Sequence, residues 1–245
     1  MAHNNLEHME LNLVEKELDE MLRKAGFYLQ TYRGLDALGL LQKVEMKLSG
    51  AAVRLPFVIT VYRMLADCYS QMGMMKEGIA YLDRCYSLEE DDDNKAAVAG
   101  IISTNYLHMG KKEEALEYAN KALETAKAPE LKSRPYQIQG AIAGNDGDYP
   151  KAIELLTKAA EMAEQAHCLT DLAMIIMDIS AMYVKMGMYE TALSEVYRAE
   201  RYVKESHHFD LFQRCAIRRA KILYKMGRDE DAKSLIVTLD EQKIG

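Results

Sequence analysis

Cysteine, histidine and acidic residues are the side chains here that could hold a metal or act in catalysis. The four cysteines have neither metal-site nor redox-pair spacing: Cys68, Cys85, Cys168 and Cys215. Glu205, His207 and His208 come nearest to a metal site, but adjacent residues in a turn point in different directions. The chain has no phosphate-loop motif and no nucleophile elbow. We therefore expect no catalytic residue, no metal and no cofactor, and predict that the chain is not an enzyme.

An acidic run at residues 89–93 is the densest charge cluster in the chain. A calcium loop would need alternating ligands and a central glycine, and this run has neither. The interpretation we favour is that Asp91, Asp92 or Asp93 caps the helix that follows, with the other carboxylates near the positive end of its dipole.

Repetition is the strongest pattern in the sequence. Six glycines recur at intervals of 37 to 40 residues: Gly34, Gly73, Gly110, Gly147, Gly187 and Gly227. Five positions after each stands a small residue: Gly39, Gly78, Ala115, Ala152, Ala192 and Ala232. Four positions before the six glycines, three units have a tyrosine, whereas the first unit has the polar Gln30. Such a period is typical of stacked supersecondary units.

Each unit reads as two helices joined at its glycine. Between residues 173 and 205, apolar residues recur at steps of three and four on both sides of Gly187. A glycine ends a helix at little cost because it can adopt the left-handed conformation. No segment alternates in the manner of a strand. The sequence therefore predicts an all-α fold of six helical hairpins.

The spacing of Tyr183, Gly187, Ala192, Val196 and Ala199 resembles the tetratricopeptide repeat, although the period is longer than the family's usual length of about 34 residues. The resemblance covers roughly residues 20 to 240. It implies a right-handed superhelical α-solenoid in which the first helix of each unit lines a concave, peptide-binding groove. In its longer period the chain resembles bacterial signalling and regulatory members of the family.

The repeats predict one solenoid domain over residues 10–245, after a leader at residues 1–9 that is either added by cloning or disordered. Its six units are predicted at about 10–50, 55–90, 92–128, 130–166, 168–206 and 209–242. The fourth unit has Gly140 and Gly144 shortly before Gly147. These extra glycines are explained either by close packing or by a flexible point in the stack.

The glycine register also predicts which side chains face the groove. The predicted slots hold eight basic residues and two acids, Asp67 and Asp178, in a chain of net charge −7. Such a basic inner surface would attract an acidic ligand. Alternatively, Arg214 or Arg218 pairs with Asp178. The predicted ligand-binding residues are Lys24, Tyr28, Tyr32, Arg63, Gln71, Arg134, Gln137, Arg214, Arg218, Lys221 and Lys225.

These features predict a non-catalytic scaffold in the cytoplasm that binds a protein or peptide, acidic or extended, in its groove. One alternative is the sensory region of a bacterial signalling or transcription regulator whose output domain is absent; another is a self-assembling scaffold that forms homo-oligomers. A pI of about 5.5 disfavours direct binding of nucleic acid. No apolar run approaches the roughly 18 to 20 residues that span a membrane, so we expect no membrane partner.

Overall fold

The computed structural model describes residues 2–48, 54–206 and 208–244, with side-chain surroundings over 16–48, 54–206 and 208–236. All regular secondary structure in these ranges is helical: α1 (Ala2–Gln30), α2 (Gly34–Leu48), α3 (Leu55–Gln71), α4 (Met75–Leu88), α5 (Asp92–His108), α6 (Lys112–Thr125), α7 (Pro129–Asn145), α8 (Tyr149–Gln165), α9 (Leu169–Lys185), α10 (Tyr189–Glu205), α11 (Phe209–Lys225) and α12 (Asp229–Ile244).

The helices form two compact units, residues 1–110 with α1 to α5 and residues 111–245 with α6 to α12. Within each unit every helix packs against the next one along the chain. The first helices of hairpins also touch, because α1 contacts α3 in the first unit, and α9 contacts both α7 and α11 in the second. The predicted all-α class and helical hairpins are confirmed, whereas the single superhelix stays a prediction.

Glycine ends the first helix of most hairpins, as the sequence predicts. Gly73, Gly110, Gly147, Gly187 and Gly227 all have φ between 73° and 88°. In the Gly187 turn, the backbone N–H of Met188 donates to the carbonyl of Tyr183 at 2.9 Å. The same bond joins Met74 to Tyr69 at 2.8 Å. The tyrosine four residues before the glycine therefore supplies the carbonyl that closes the turn.

In the first hairpin the predicted register is wrong by two residues. Tyr32, with φ 55°, adopts the left-handed conformation, and Gly34 instead begins α2. The N–H of Arg33 donates to the carbonyl of Tyr28 at 2.8 Å. This bond is equivalent to the one from Met74 to Tyr69 in the next hairpin. Tyr28, four residues before Tyr32, therefore holds the position that Tyr69 holds in the next hairpin and that the sequence register gave to Gln30.

The small-residue position of the first hairpin moves with the register. Ala37, five residues after Tyr32, is fully buried. Gly39, the residue predicted for that position, is exposed and has nothing within 4 Å of where a Cβ would lie. Gly78 shows why the position must be small: a Cβ there would lie 3.1 Å from the carbonyl oxygen of Ala66. Hairpin helices approach most closely at this point.

Each unit has its own apolar core. The core of the first unit joins α1, α2 and α3, with Leu18, Leu41 and Leu65 fully buried. That of the second joins α8 to α12 and includes Leu156 and Ile176. These cores fix the first helices in place and so determine which of their side chains remain exposed.

The extra glycines of the fourth hairpin are packing positions. A Cβ on Gly140 would lie 2.8 Å from Cγ of the buried Leu156, and one on Gly144 would lie 2.6 Å from Sδ of Met182. Helix α7 continues through both glycines to Asn145. Close packing therefore explains the glycines, and the structure offers no support for a flexible point.

Three sequence predictions concern segment ends. Asp91 caps α5, as expected, by accepting the N–H of Asn94 at 2.9 Å. Residues 2–9 form the first turns of α1, and whether residues 1–9 are a leader stays a prediction. Met1, residues 49–53, His207 and Gly245 lie outside the described residues, so the end of the predicted first unit and the His207 site are not described.

Candidate functional site

The candidate site is an exposed surface formed by α7, α9 and α11 of the second unit. Because α9 packs against both α7 and α11, corresponding positions on the three helices are neighbours. We call this surface the basic face and define it by Arg134 and Gln137 of α7, Asp178 and Lys185 of α9, and Arg214, Ile217, Arg218, Lys221, Tyr224 and Lys225 of α11. It has six basic residues and one acid.

Two hydrogen bonds lie on the basic face, one within α7 and one from α7 to α9. A guanidinium nitrogen of Arg134 donates to Oε1 of Gln137 at 3.0 Å. Nε2 of Gln137 then donates to Oδ2 of Asp178 at 2.9 Å. Because the amide of Gln137 is bonded at both ends, its orientation is fixed, and one cation is linked to the carboxylate through it.

Asp178 is half-buried in this cluster. Burial raises the pKa of its carboxyl above the usual range, while the Gln137 hydrogen bond and the charges of Arg218, Arg214 and Arg134 act in the opposite direction. In the part of the chain that the structure describes, neither Arg214 nor Arg218 forms a salt bridge to it. The alternative of a direct pair therefore does not hold here, because Gln137 is the residue bonded to the carboxylate.

Helix α11 has arginines with two different roles. Arg219 forms a salt bridge with the buried Glu200 at 2.8 Å and covers the ring of Tyr197 at 5.3 Å. The basic side chains of the opposite side are in no ion pair among the described residues: Arg214, Arg218, Lys221 and Lys225. Their charges are therefore available to a ligand.

The basic face also exposes two apolar side chains of α11. Ile217 is 49% exposed and Tyr224 is 43% exposed. They lie seven residues apart and hence on the same side of the helix. Neither residue is among the ligand-binding residues predicted from the sequence. The available signal was their apolar type at slots where the helix has otherwise only cations.

The predicted residues of the first unit do not form a comparable surface. Tyr28 lies beneath the guanidinium of Arg33, 4.4 Å from the ring centre, and Lys24 is 6.0 Å from the same ring. With the corrected register, Lys24, Tyr28 and Tyr32 no longer occupy positions that are predicted to face the groove. The first-unit slots then hold two basic and two acidic residues: Arg23, Arg63, Asp19 and Asp67. The excess of positive charge is thus confined to the second unit.

The structure does bring two of these first-unit residues together. Tyr32 and Gln71 line one cavity of about 380 Å³ at the first turn. Nε2 of Gln71 donates to the carbonyl of Leu29 at 3.3 Å, a bond that ties α3 to the end of α1. Arg63 lies apart from them in a cavity of about 350 Å³ with Glu89 and Asn94. A ligand-binding role for these residues stays a prediction.

The described residues contain no group of three metal-ligating side chains and no helix long and apolar enough to cross a bilayer. In the hairpin turn before α11, Nδ1 of His208 accepts the N–H of Leu211 at 3.4 Å. This histidine acts as the helix cap.

Residues 57–128 match the family model of the tetratricopeptide repeat. The matched segment includes the turns at Gly73 and Gly110, whose left-handed conformation the structure shows. The chain contains tetratricopeptide repeats. Repeats of this family are generally non-catalytic scaffolds for protein interaction. No curated protein matches the chain in sequence.

Solved structures extend the likeness of these tetratricopeptide repeats beyond the matched segment, at the level of the fold. A signal transduction ATPase with a tetratricopeptide repeat sensor from Pyrococcus horikoshii has a TM-score of 0.74 at 16% identity, covering 99% of this chain and 40% of that one. Aspartyl phosphate phosphatase F from Bacillus subtilis has 0.69 at 17%, covering 89% and 68%. Pseudomonas aeruginosa pilF has 0.65 at 15%, covering 95% and 94%.

Proposed function

We propose that the second unit is a non-catalytic binding module whose basic face takes an acidic peptide segment of a protein partner. The observation that carries this proposal is the row of cations on α11. Among the residues whose side chains the structure describes, Arg214, Arg218 and Lys221 are in no ion pair, although the chain as a whole carries a net charge of −7. The cationic surface attracts anionic segments, while the acidic remainder of the chain repels other acidic surfaces.

Complementary charge increases the association rate more than it increases affinity. The basic face also has apolar and hydrogen-bonding groups that can bind a peptide. Ile217 and Tyr224 offer apolar area, while Gln137 and Asp178 offer hydrogen-bonding groups. Exposed cations of this kind are screened by salt, with a Debye length near 8 Å at physiological ionic strength. Binding should therefore weaken as salt is added, and it requires no cofactor or catalytic group.

The test is calorimetric titration with a synthetic peptide rich in glutamate and leucine. Reversing Arg218→Glu together with Lys221→Glu should weaken binding at least tenfold and flatten its salt dependence. The matched control is Arg201→Glu with Lys204→Glu, which has the same residue types and spacing on the second helix α10. Equal binding by the wild type and the α11 variant would refute the proposal, and loss in both variants would show that net charge alone matters.

A sensory role is the second candidate. It is supported by the likeness in fold to the repeat sensor of the Pyrococcus horikoshii ATPase, of which this chain would cover 40%. In that case the acidic segment bound at the basic face would be the signal, and an output domain would lie elsewhere in the natural protein. Sequencing the complete gene decides between the candidates, because an attached helix-turn-helix, kinase or ATPase domain would favour the sensory role.

A further inference from the structure

The apolar pair on α11 has a defined spacing. Ile217 and Tyr224 are two helical turns apart, about 10.5 Å along the axis. Both are exposed by more than two fifths, Ile217 in the middle of α11 and Tyr224 in its last turn. A partner that covers both must therefore present apolar groups at the same interval.

The cations form a second row beside this pair rather than around it. With about 100° of rotation per residue, Tyr224 points within about 20° of Ile217. All four cations lie about 40° to 100° to one side of Ile217: Arg214, Arg218, Lys221 and Lys225. Their steps along the axis are about 6, 4.5 and 6 Å, as for residues four, three and four apart. The complementary surface has an apolar row with an acidic row next to it.

The type of backbone that can present two adjoining rows is limited. A β-strand has one row on each face, so apolar and acidic rows would point in opposite directions. A polyproline II segment has three rows, but each repeats only at about 9.3 Å, too sparsely for the four cations. A helix has adjoining rows at steps of three and four residues and repeats its apolar positions every seven.

We infer that the partner of the basic face binds as an acidic amphipathic helix that lies along α11. This inference rests on the proposed function and specifies the form of its ligand. The partner helix would place apolar residues seven apart over Ile217 and Tyr224, with glutamates or aspartates opposite Arg218 and Lys221. The complementary charge argues for a partner with an acidic face.

Three synthetic probes of about 20 residues, long enough for a helix to form on the surface, test the inference. The first has leucines at helical spacing and glutamates on the adjoining side. The second has the same composition in alternating order, and the third has a proline at the centre of the first. We expect the first probe to bind at least tenfold more tightly than the others, and NMR of the labelled peptide to show helical shifts on binding.

Variants of α11 complete the test. Ile217→Ser with Tyr224→Ser should weaken binding of the first probe at least tenfold. Phe209→Ser is the matched control, since Phe209 is 55% exposed on the same helix but about 80° away on the side without cations. If all three probes bind equally and lose affinity on reversal of Arg218 and Lys221, the helical form is wrong and the proposed function stands. If no probe binds more tightly to the wild type than to that reversal, the proposed function itself fails.

Discussion

The side-chain amide of Gln137 on α7 donates a hydrogen bond of 2.9 Å to the carboxylate of Asp178 on α9. This bond joins the first helices of two successive hairpins and holds the one acid of the basic face among its cations. Asp178 therefore lies within the surface to which an acidic group of the ligand would bind. Its charge opposes such a ligand while its hydrogen bond orders Gln137.

Removing this charge should strengthen the binding of an acidic peptide. We expect Asp178→Asn to lower Kd for the glutamate-leucine probe about threefold to tenfold, because an unfavourable like-charge interaction is lost while an amide oxygen can still accept from Gln137. Titration calorimetry at two salt concentrations measures this. Glu161→Gln, an exposed site on the second helix α8, is the control and should leave Kd unchanged. Weaker binding by Asp178→Asn would mean that Asp178 holds the ligand directly.

The free energy of unfolding should depend on pH through Asp178. Burial raises the pKa of Asp178, so the folded chain holds this proton more tightly than the unfolded chain does. The stabilisation by the protonated acid is then present below pH 4 and is lost as pH rises through the folded pKa. The advantage of Asp178→Asn over the wild type in free energy of unfolding should grow from pH 4 to pH 7. Guanidinium denaturation at several pH values tests this, and parallel curves for the two proteins would contradict it.

Two glycine-to-alanine substitutions should have opposite effects. Gly140→Ala is expected to destabilise the chain by about 1–3 kcal/mol, because its methyl group would overlap the buried Leu156. Gly39→Ala should stabilise it by up to about 1 kcal/mol, since the site is exposed and helical with open space around it. Chemical denaturation followed by circular dichroism measures both. A stabilising Gly140→Ala would show that α7 and α8 can move apart freely.

The corrected register of the first turn can be tested by the stability of two variants. Tyr32→Gly should raise the free energy of unfolding by up to about 1 kcal/mol, because a left-handed non-glycine residue is strained and this side chain is 87% exposed. Gly73→Ala, at the equivalent position of the next hairpin, should lower it by about 1 kcal/mol. Thermal unfolding of both variants measures the difference. No gain from Tyr32→Gly would contradict the equivalence of the two positions.

The buried pair between α10 and α11 should be the most sensitive ionic contact of the second unit. Glu200 is 5% exposed, and its second oxygen has no hydrogen-bond partner, so Arg219 is its main compensation. We expect Arg219→Met to cost about 3–5 kcal/mol, and the double variant with Glu200→Leu to recover most of this loss. Arg198→Met, which breaks a more exposed pair with Glu195, should cost less than about 1 kcal/mol. Denaturation of all three variants provides the comparison.

The fold was predictable from the sequence because glycine and small residues report directly on backbone conformation and helix approach. Five of the six turns follow that logic. The first fails because a left-handed residue need not be glycine: Tyr32 adopts this conformation, and Gly34, two residues on, matches the period by chance. The backbone bond from Arg33 to Tyr28, which identifies the turn, has no signature in side-chain types.

The site was predictable in part, for a related reason. Register placed Arg214, Arg218 and Lys221 on one side of α11, where the structure has them. It could not distinguish a paired cation from a free one, since that depends on distances between helices, as in the contact of Arg219 with Glu200. Nor could it show that Gly140 is required by Leu156, because composition records only the helical penalty of glycine and not the packing that offsets it.

The turn at Tyr32 also determines how this chain can be recombined with other repeats. A two-residue error in alignment rotates a helix by about 200°, almost to its opposite side. A chimera joined by matching Gly34 to the glycine of a consensus repeat would place Gly39 inside the hairpin and turn Ala37 outwards. Fusions aligned on Tyr32 keep the phase of α2, so repeat exchange should be planned from the left-handed residue rather than from the glycine.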